Sequence, residues 1–462
     1  MQRAARPSRG LDRTPTPAGA RRLMPAFAAA PAPVPATLPA PAPARRPLEC
    51  DGCGEVLRLP ALARRTEACC PRCDAVLRGP SGSLDAPLAL GIAGLVLYAI
   101  TMASPFLSLN LLGRLRTSGV ETGAAAFIEQ GFVPLSALVV LTLVLAPLAR
   151  LLLLVGVLLG LRLRHPPRGL FHAFRWHERL GSWAMVEVFL FGALVSYTRL
   201  RDLAEVEVGP AAYGVAALAL TLVAVRAVLE PQLVWDALER HGATAAGRYG
   251  WPEAEAGRAP PISCDCCRLL AAAPAGSPCP RCAARLHPRK PNSVARTWAL
   301  LLAALVLYVP ANIYPVMVIV TFGRGGPHTI LGGVAEFLYS GFWPLALIVF
   351  LASVMVPVLK LAGLVVMLVG IHRRSAARLR DRTRLYRAVE AIGRWSMIDV
   401  FVVSVLIAVV RFGNLASIDA AVGATCFAGV VVLTILAASA FDPRLMWDAA
   451  GRPGSTAPGE QA

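Results

Sequence analysis

The chain has 462 residues, of which 56% are hydrophobic and 16% are charged, and its formal net charge at pH 7 is +18. A composition this apolar excludes an ordinary soluble globular protein. It indicates a membrane protein with several transmembrane spans. The charge would also suit a nucleic-acid-binding protein, but the arginines flank apolar stretches instead of forming one basic face, which favours a membrane-topology signal.

The first 47 residues contain eleven prolines, eight arginines and many alanines. This composition is typical of disordered segments. The segment also lacks the uninterrupted apolar core of a secretion signal. We therefore expect residues 1–47 to be a disordered, basic leader.

The remaining chain contains one unit twice, a four-cysteine cluster followed by a long apolar region. At an offset of 210 Pro105 becomes Pro315, and at an offset of 212 Gly181 becomes Gly393. So long a repeat indicates tandem duplication. The predicted boundaries are 48–80 for the first cysteine module, 86–240 for the first membrane repeat, 241–261 for a linker, 262–290 for the second module, 296–448 for the second repeat and 449–462 for a disordered tail.

The apolar regions predict eight transmembrane helices, four per repeat. Crossing a bilayer takes about 20 residues, and six uncharged stretches are long enough: 86–113, 130–149, 208–225, 297–323, 337–359 and 420–441. Two further spans, near 180–198 and 393–410, each contain one acidic residue and are included because the duplication places them in register. The predicted fold class is therefore an all-α polytopic membrane protein of two tandem four-helix repeats, each preceded by a zinc-ribbon-like module.

Arginines between the spans predict the orientation, because short cytoplasmic loops retain basic residues. The connection 162–179 has five Arg against one Glu, and the connection 373–394 has eight Arg against two acids. Both should face the cytoplasm. Both termini and both cysteine modules then lie in the cytoplasm, and the expected location is the inner membrane of a Gram-negative bacterium.

Each module offers two close cysteine pairs, an arrangement suited to a tetrahedral metal ion. A reducing cytosol disfavours structural disulfides, and a module of about 30 residues needs a metal to replace the core that it cannot build. We expect one zinc ion per module. The predicted ligands are Cys50, Cys53, Cys70 and Cys73 in the first module and Cys264, Cys267, Cys279 and Cys282 in the second.

Three alternatives to this zinc assignment remain open. A rubredoxin-like iron site would make the chain a membrane redox protein, and a thiol–disulfide role is also compatible with paired cysteines. In addition, the adjacent Cys69 and Cys266 could replace a neighbouring ligand.

Four ionisable residues within the predicted spans are candidate transport residues, because charges there are expensive and usually face a partner or a wet cavity. Arg150 and Lys360 are equivalent positions of the second spans, and Glu187 and Asp399 are equivalent positions of the third. Similar estimated depths predict the pairs Arg150 with Glu187 and Lys360 with Asp399. The alternative is that the side chains of Arg150 and Lys360 extend to the cytoplasmic lipid headgroups. We interpret Arg226, in the fourth span, in the same way, as an interfacial residue.

Prolines precede both basic residues of the second spans. Pro147 and Pro357 each lie three residues before them. A proline within a span frees a carbonyl group and kinks the helix. We expect these positions either to open a polar pocket or to shape packing.

The second half resembles the paraquat-inducible protein A family of bacterial inner-membrane proteins. The resemblance covers about residues 48 to 450 and depends on the paired cysteine clusters and on the motifs Thr329-Ile-Leu-Gly-Gly-Val, Gly341-Phe-Trp-Pro, Arg394-Trp-Ser-Met-Ile-Asp-Val-Phe and Phe441-Asp-Pro-Arg. It is weaker in the first half, where Arg150 replaces a lysine-like position.

Members of that family are thought to act with MCE-domain proteins, which form periplasmic tunnels for lipids. The resemblance implies an inner-membrane subunit that loads or receives phospholipid at the base of such a tunnel. No nucleotide-binding loop, nucleophile elbow or zinc-protease motif occurs, so we do not predict an enzyme. The other functional alternative is a partner-independent, ion-coupled transporter that uses Lys360 and Asp399.

Overall fold

The computed structural model describes residues 20–22, 47–59, 66–79, 82–111, 114–201, 205–245, 261–321, 324–410 and 416–451. Most of the predicted leader, linker and tail lies outside these residues. The described chain is mainly helical, with five small antiparallel sheets.

The first half begins with short strands and continues into a helical repeat. Its strands before the repeat are β1 Ala20–Arg22, β2 Leu48–Glu49, β3 Val56–Leu57, β4 Thr66–Cys69 and β5 Val76–Arg78. The repeat comprises α1 Asp85–Ala103, β6 Leu107–Leu111, β7 Arg114–Ser118, α2 Thr122–Glu129, α3 Val133–Val139, a π-helical turn Val140–Leu145, α4 Ala146–Gly160, α5 Leu170–Leu180, α6 Val186–Arg201, β8 Glu205–Val208, α7 Pro210–Val228 and α8 Pro231–Arg240.

The second half repeats this order with fewer strands in its module, which contains β9 Ile262–Ser263 and β10 Leu270–Ala271. Its repeat comprises α9 Ser293–Ile313, β11 Met317–Thr321, β12 Arg324–His328, α10 Ile330–Tyr339, α11 Trp343–Phe350, a π-helical turn Leu351–Met355, α12 Val356–His372, α13 Leu379–Ile392, a 3₁₀ turn Gly393–Met397, α14 Ile398–Val409, β13 Ala416–Ala420, α15 Val422–Ala440 and α16 Arg444–Ala449.

Seven helical stretches of the described chain are long and apolar enough to cross a membrane. They are Asp85–Ala103, Val133–Gly160, Pro210–Val228, Ser293–Ile313, Ala346–His372, Leu379–Val409 and Val422–Ala440. These correspond to seven of the eight predicted spans. The eighth corresponds to α6, whose 16 residues extend about 24 Å at 1.5 Å per residue, less than the roughly 30 Å of a hydrocarbon core.

The prediction of an all-α fold was incomplete, because each repeat carries a three-stranded antiparallel sheet at the ends of its spans farthest from the cysteine modules. The strand orders are β7-β6-β8 and β12-β11-β13. The uncharged stretch 86–113 contains both a helix and a strand, and its composition does not show where one ends. α1 ends at Ala103, and Ser104 is extended, as the residue before a proline prefers to be. Absence of charge alone cannot separate such a strand from a span.

One short piece of the predicted disordered leader is also a strand. β1 pairs with β4 in antiparallel register, with Arg21 opposite Glu67. The leader therefore contributes an edge to the first module.

The two repeats meet mainly along their third spans, α6 and α14. A Cβ atom built on Gly192 would lie 3.0 Å from the Cβ of Phe401, so this glycine allows a close helix approach. The Ser196 hydroxyl donates to the Val402 carbonyl at 3.2 Å, and the rings of Phe189 and Phe401 meet edge to face at 5.6 Å. This contact joins the repeats into one core.

The cysteine modules are exchanged between the repeats. The first module packs into a hydrophobic cluster with α12, α13 and α16 of the second repeat. The second module packs into a cluster with α4, α5 and α8 of the first repeat. The cysteines of each module thus pack on the repeat that the module does not precede in sequence.

Candidate functional site

Four thiols of each module converge on one point. In the first module the Sγ atoms of Cys50 and Cys73 lie 3.5 Å apart, and those of Cys53 and Cys70 lie 3.6 Å apart. Both cysteine pairs are on tight turns, where backbone N–H groups bond back to the first cysteine: Gly54 donates to Cys50 and Asp74 to Cys70. The turns aim both sulfurs of a pair in one direction.

The second module repeats this geometry. The Cys264–Cys282 and Cys267–Cys279 sulfur distances are 3.5 and 3.6 Å. All eight cysteines are buried, and within each cluster the sulfur atoms lie within 4.8 Å of one another. The two cysteine pairs are closer together in sequence in the second module than in the first. This shorter spacing does not disturb the four-cysteine cluster.

Both clusters fit a tetrahedral ion. Metal–sulfur bonds of about 2.3 Å place tetrahedral thiolates about 3.8 Å apart, close to the distances observed. All eleven cysteines have free thiols. Cys69 and Cys266 are only partly buried and belong to neither set of four. The two modules therefore contain buried four-cysteine clusters able to bind a metal.

A buried ion network connects the modules to the second repeat. Arg444, at the start of α16, donates to Asp442 at 3.0 Å, to Glu49 of the first module at 3.2 Å and to Asp265 of the second at 2.9 Å. Burial would raise the pKa of Asp442, but the ion pair with Arg444 outweighs burial and lowers it. The carboxylate is therefore held in its charged form.

The predicted pair of Arg150 and Glu187 is not formed. Glu187 instead accepts from Arg226 at 2.6 Å and lies 3.5 Å from Arg394. Arg226 also donates to the carbonyls of Gly181 and Ala184. The fourth span thus supplies the base for Glu187, from a position two residues before the end of α7.

Arg150 lies close to this cluster without joining Glu187. Its guanidinium group is within 3.7 Å of a Cβ built on Gly181, and its Nε and Nη1 atoms have no hydrogen-bond partner in the described chain. Equal depth in the membrane did not ensure that the two side chains face each other.

The predicted pair of Lys360 and Asp399 is not formed either. Lys360 is 2% exposed, and its ammonium group donates to the Gly393 carbonyl at 3.2 Å and to the Ser396 hydroxyl at 3.3 Å. Both partners belong to the 3₁₀ turn. Because helix ends leave carbonyl groups without intrahelical partners, this turn offers a nearer acceptor than the carboxylate.

Asp399 occupies a different environment, in the first turn of α14. Its electrostatic neighbours are Ser353 of the π-helical turn and Arg199 of α6. The Oδ2 atom of Asp399 and the Oγ atom of Ser353 are buried without a hydrogen-bond partner among the described residues. The two groups are close enough to interact with each other, and their remaining hydrogen-bonding capacity could be used by a proton, water or ligand.

The expected distortion before the prolines is present as π-helical turns, which immediately precede the helices containing Pro147 and Pro357. In the first repeat the Met185 N–H donates to the Thr142 carbonyl at 3.3 Å. In the second, the turn places Ser353 beside Asp399. Packing and a polar site are therefore both consequences of this distortion.

An apolar cleft opens between the repeats, and its lining includes Ile398 and Ala352, the residues that precede Asp399 and Ser353 in sequence. Its volume is about 700 Å³, and among the described residues that line it the polar side-chain groups are the Thr198 hydroxyl and the Trp395 indole N–H, in an otherwise aliphatic and aromatic lining. The walls are formed by α6, by α11 with its π-helical turn, and by the α13–α14 junction. The lining residues are Phe191, Leu194, Val195, Thr198, Pro344, Ile348, Leu351, Ala352, Val356, Ile392, Trp395 and Ile398.

The cleft is open towards the surface that a bilayer would surround. Leu194 is 57% exposed and Ile348 is 50% exposed. An apolar cavity of this size is within the usual range for small-molecule sites, and its lining suits hydrocarbon. The sequence did not predict it, since apolar residues that face lipid and those that line a cleft have the same composition.

The chain matches the paraquat-inducible protein A family twice, over residues 84–239 and 294–451. One relative, the intermembrane transport protein PqiA of Escherichia coli, is 33% identical over 86% of this chain and 95% of its own length. The lipophilic envelope-spanning tunnel protein A of Escherichia coli is 30% identical over 87% of this chain and 91% of its own.

A probable intermembrane transport protein of Haemophilus influenzae is 26% identical, over 87% of this chain and 95% of its own length. No solved structure matches the chain. The two separate family matches coincide with the two helical repeats, as tandem duplication requires. The chain is thus a multi-pass membrane protein that belongs to the paraquat-inducible protein A family.

Proposed function

We propose that this protein is the inner-membrane subunit of an MCE-type intermembrane lipid transport system, and that the cleft between its repeats receives phospholipid acyl chains. The observation that carries the proposal is the cleft itself: about 700 Å³ of nearly continuous apolar lining, which includes the sequence neighbours of the buried polar pair Asp399 and Ser353. The hydrocarbon chains of the phospholipid would pack against the apolar walls of the cleft, while a polar group of the lipid could approach Asp399 and Ser353.

The names of the relatives support transport between membranes, because two are described as intermembrane transport proteins and one as an envelope-spanning tunnel protein. We carry this role over to the present chain. The expected partner is a periplasmic MCE-domain protein, and co-purification after crosslinking would test it.

The proposed topology has eight spans and both termini in the cytoplasm. α6 would be the eighth span, and its 16 residues would suffice where the neighbouring α14 shields part of it from lipid. Both cysteine modules would then lie on the cytoplasmic side and the two three-stranded sheets on the periplasmic side. Each module would hold one zinc ion, which supplies structural crosslinking and no chemistry.

Filling the cleft tests the lipid proposal. Leu194→Trp narrows it, while Leu220→Trp is a matched control, because Leu220 is 71% exposed on α7 and does not line the cleft. We expect the purified Leu194→Trp protein to retain less phospholipid than the control, measured by native mass spectrometry. Equal retention by two equally stable variants would refute occupation of the cleft.

A further inference from the structure

Two arginines at equivalent positions of the repeats hold the exchanged cysteine modules. Arg175 of α5 and Arg387 of α13 are separated by 212 residues, the offset of the duplication. Arg387 donates to the Cys73 carbonyl at 2.9 Å and to the Asp74 carbonyl at 2.8 Å. Arg175 donates to the Cys282 carbonyl at 3.1 Å. Each repeat therefore contacts the last cysteine of the module that precedes the other repeat.

The metal-binding turns make further crossed contacts, although other residues of each module also bind its own repeat: Arg78 lies 3.4 Å from Asp236, and Asp265 lies 2.9 Å from Arg444. In the second module, Arg281 forms ion pairs with Asp236 at 2.7 Å and Glu239 at 2.8 Å, both on α8 of the first repeat. In the first module, Arg72 lies 4.5 Å above the ring of Trp447, on α16 of the second repeat. Both arginines immediately follow the proline of a Cys-Pro-Arg-Cys turn, so the metal-binding turn itself makes the docking contact.

The helices held in this way lead directly into the third spans. α13 continues into the 3₁₀ turn whose Gly393 carbonyl accepts from Lys360, and Ile392 and Trp395 at this junction line the cleft. α5 leads into the segment whose Gly181 carbonyl accepts from Arg226. The orientation of each of these helices thus bears on the polar contacts of its own repeat.

We propose that the metal ion of each module controls the opposite repeat, so that the first ion fixes α13 and the cleft wall while the second ion fixes α5. An ion in the first cluster would hold the Cys70–Cys73 turn rigid, and that turn is what Arg387 and Trp447 contact. A cluster of four thiolates and a divalent ion is also anionic, which favours an arginine beside it. The effect of the first ion on the lipid-binding cleft rests on the proposed function. Control of each repeat by the ion of the opposite module does not.

Hydrogen–deuterium exchange of the full-length protein tests the crossing. Cys50→Ser with Cys53→Ser removes ligands of the first cluster, and Cys264→Ser with Cys267→Ser is the matched change in the second. We expect the first variant to exchange faster in Leu379–Ile392 and the second in Leu170–Leu180. Two results would overturn the proposal: faster exchange confined to the repeat that follows the altered module, or an equal loss of protection from exchange in Leu379–Ile392 and Leu170–Leu180.

A second pair of variants keeps all cysteines and covers the case in which the first pair does not fold. Arg387→Gln should raise the alkylation rate of Cys70 and Cys73 at least roughly tenfold, because two charge-assisted hydrogen bonds to the turn are lost, and it should leave the rate of Cys279 and Cys282 unchanged. Arg175→Gln should do the reverse. Peptide mapping after alkylation reads both clusters in one sample. An unchanged rate, or a change in the other module, would contradict crossed control even if lipid transport were intact.

Discussion

Glu187 and Asp399 occupy equivalent positions in the two repeats, yet within the described residues Glu187 forms close ion pairs with two arginines, whereas Asp399 has the hydroxyl of Ser353 and the more distant charge of Arg199 as its neighbours. Arg226 lies 2.6 Å and Arg394 3.5 Å from Glu187. Asp399 instead lies beside the buried hydroxyl of Ser353, and the residues that precede these two in sequence, Ile398 and Ala352, line the apolar cleft. Duplication thus produced one carboxylate that joins the repeats through arginines and one that lies beside a hydroxyl group.

We expect Arg226→Leu to destabilise the protein by about 2 kcal/mol, because it leaves the carboxylate of Glu187 with the longer Arg394 contact alone. This is less than the loss for a fully buried pair, since both side chains are partly exposed. Denaturation by SDS would measure it. Glu187→Gln in the same chain should recover part of the loss, and strictly additive effects would argue against a direct interaction.

Lys360 and Asp399 should behave as independent residues. We expect Lys360→Met to cost about 1–3 kcal/mol, because the Gly393 carbonyl loses its buried donor, whereas Asp399→Asn should be nearly neutral for stability and reduce lipid transport. The coupling free energy of the double variant should be close to zero. A coupling above about 1 kcal/mol would restore the pairing that the sequence predicted.

These differences show where sequence reasoning succeeded and where it stopped. The duplication and the C-x-x-C spacing were sufficient to place eight thiols in two clusters, because local turns determine their geometry. The partners of Glu187 and Lys360 depend instead on which elements meet in the fold: Arg226 of α7 reaches Glu187, and the 3₁₀ turn after α13 supplies the acceptors for Lys360. Neither Ser353 nor the crossed docking of the modules has a signal in hydropathy or spacing.

Metal analysis should find two zinc ions per chain. Cys53→Ser and Cys267→Ser should each remove one ion, because a tetrahedral site loses a quarter of its ligands. Plasma emission spectroscopy of the purified protein measures the content. Stoichiometric iron with visible absorbance would instead favour the rubredoxin-like alternative.

Acid should destabilise the first repeat through His177, which is 1% exposed and whose Nδ1 lies 2.9 Å from the Arg150 carbonyl. Burial and the nearby Arg150 charge lower the pKa of His177 from 6.5 to about 4. The unfolded chain binds this proton more tightly than the folded protein does. The stability that neutral, buried His177 contributes is therefore fully present above pH 6.5 and is lost as the pH falls towards 4.

Between pH 7 and pH 5 the loss should be about 2 kcal/mol. His177→Gln should reduce this pH dependence, measured by SDS unfolding at each pH, while a His165→Gln control on an exposed loop position should leave it unchanged. An identical slope in the His177 variant and the wild type would exclude this histidine as the cause.

The most direct test of lipid occupation is photocrosslinking in living cells. A photoreactive amino acid at Leu194, inside the cleft, should capture radiolabelled phospholipid more strongly than the same amino acid at Leu220, which is also exposed but lies outside the cleft. Equal labelling at both positions would mean that Leu194 meets only bulk bilayer, and it would contradict a lipid site between the repeats.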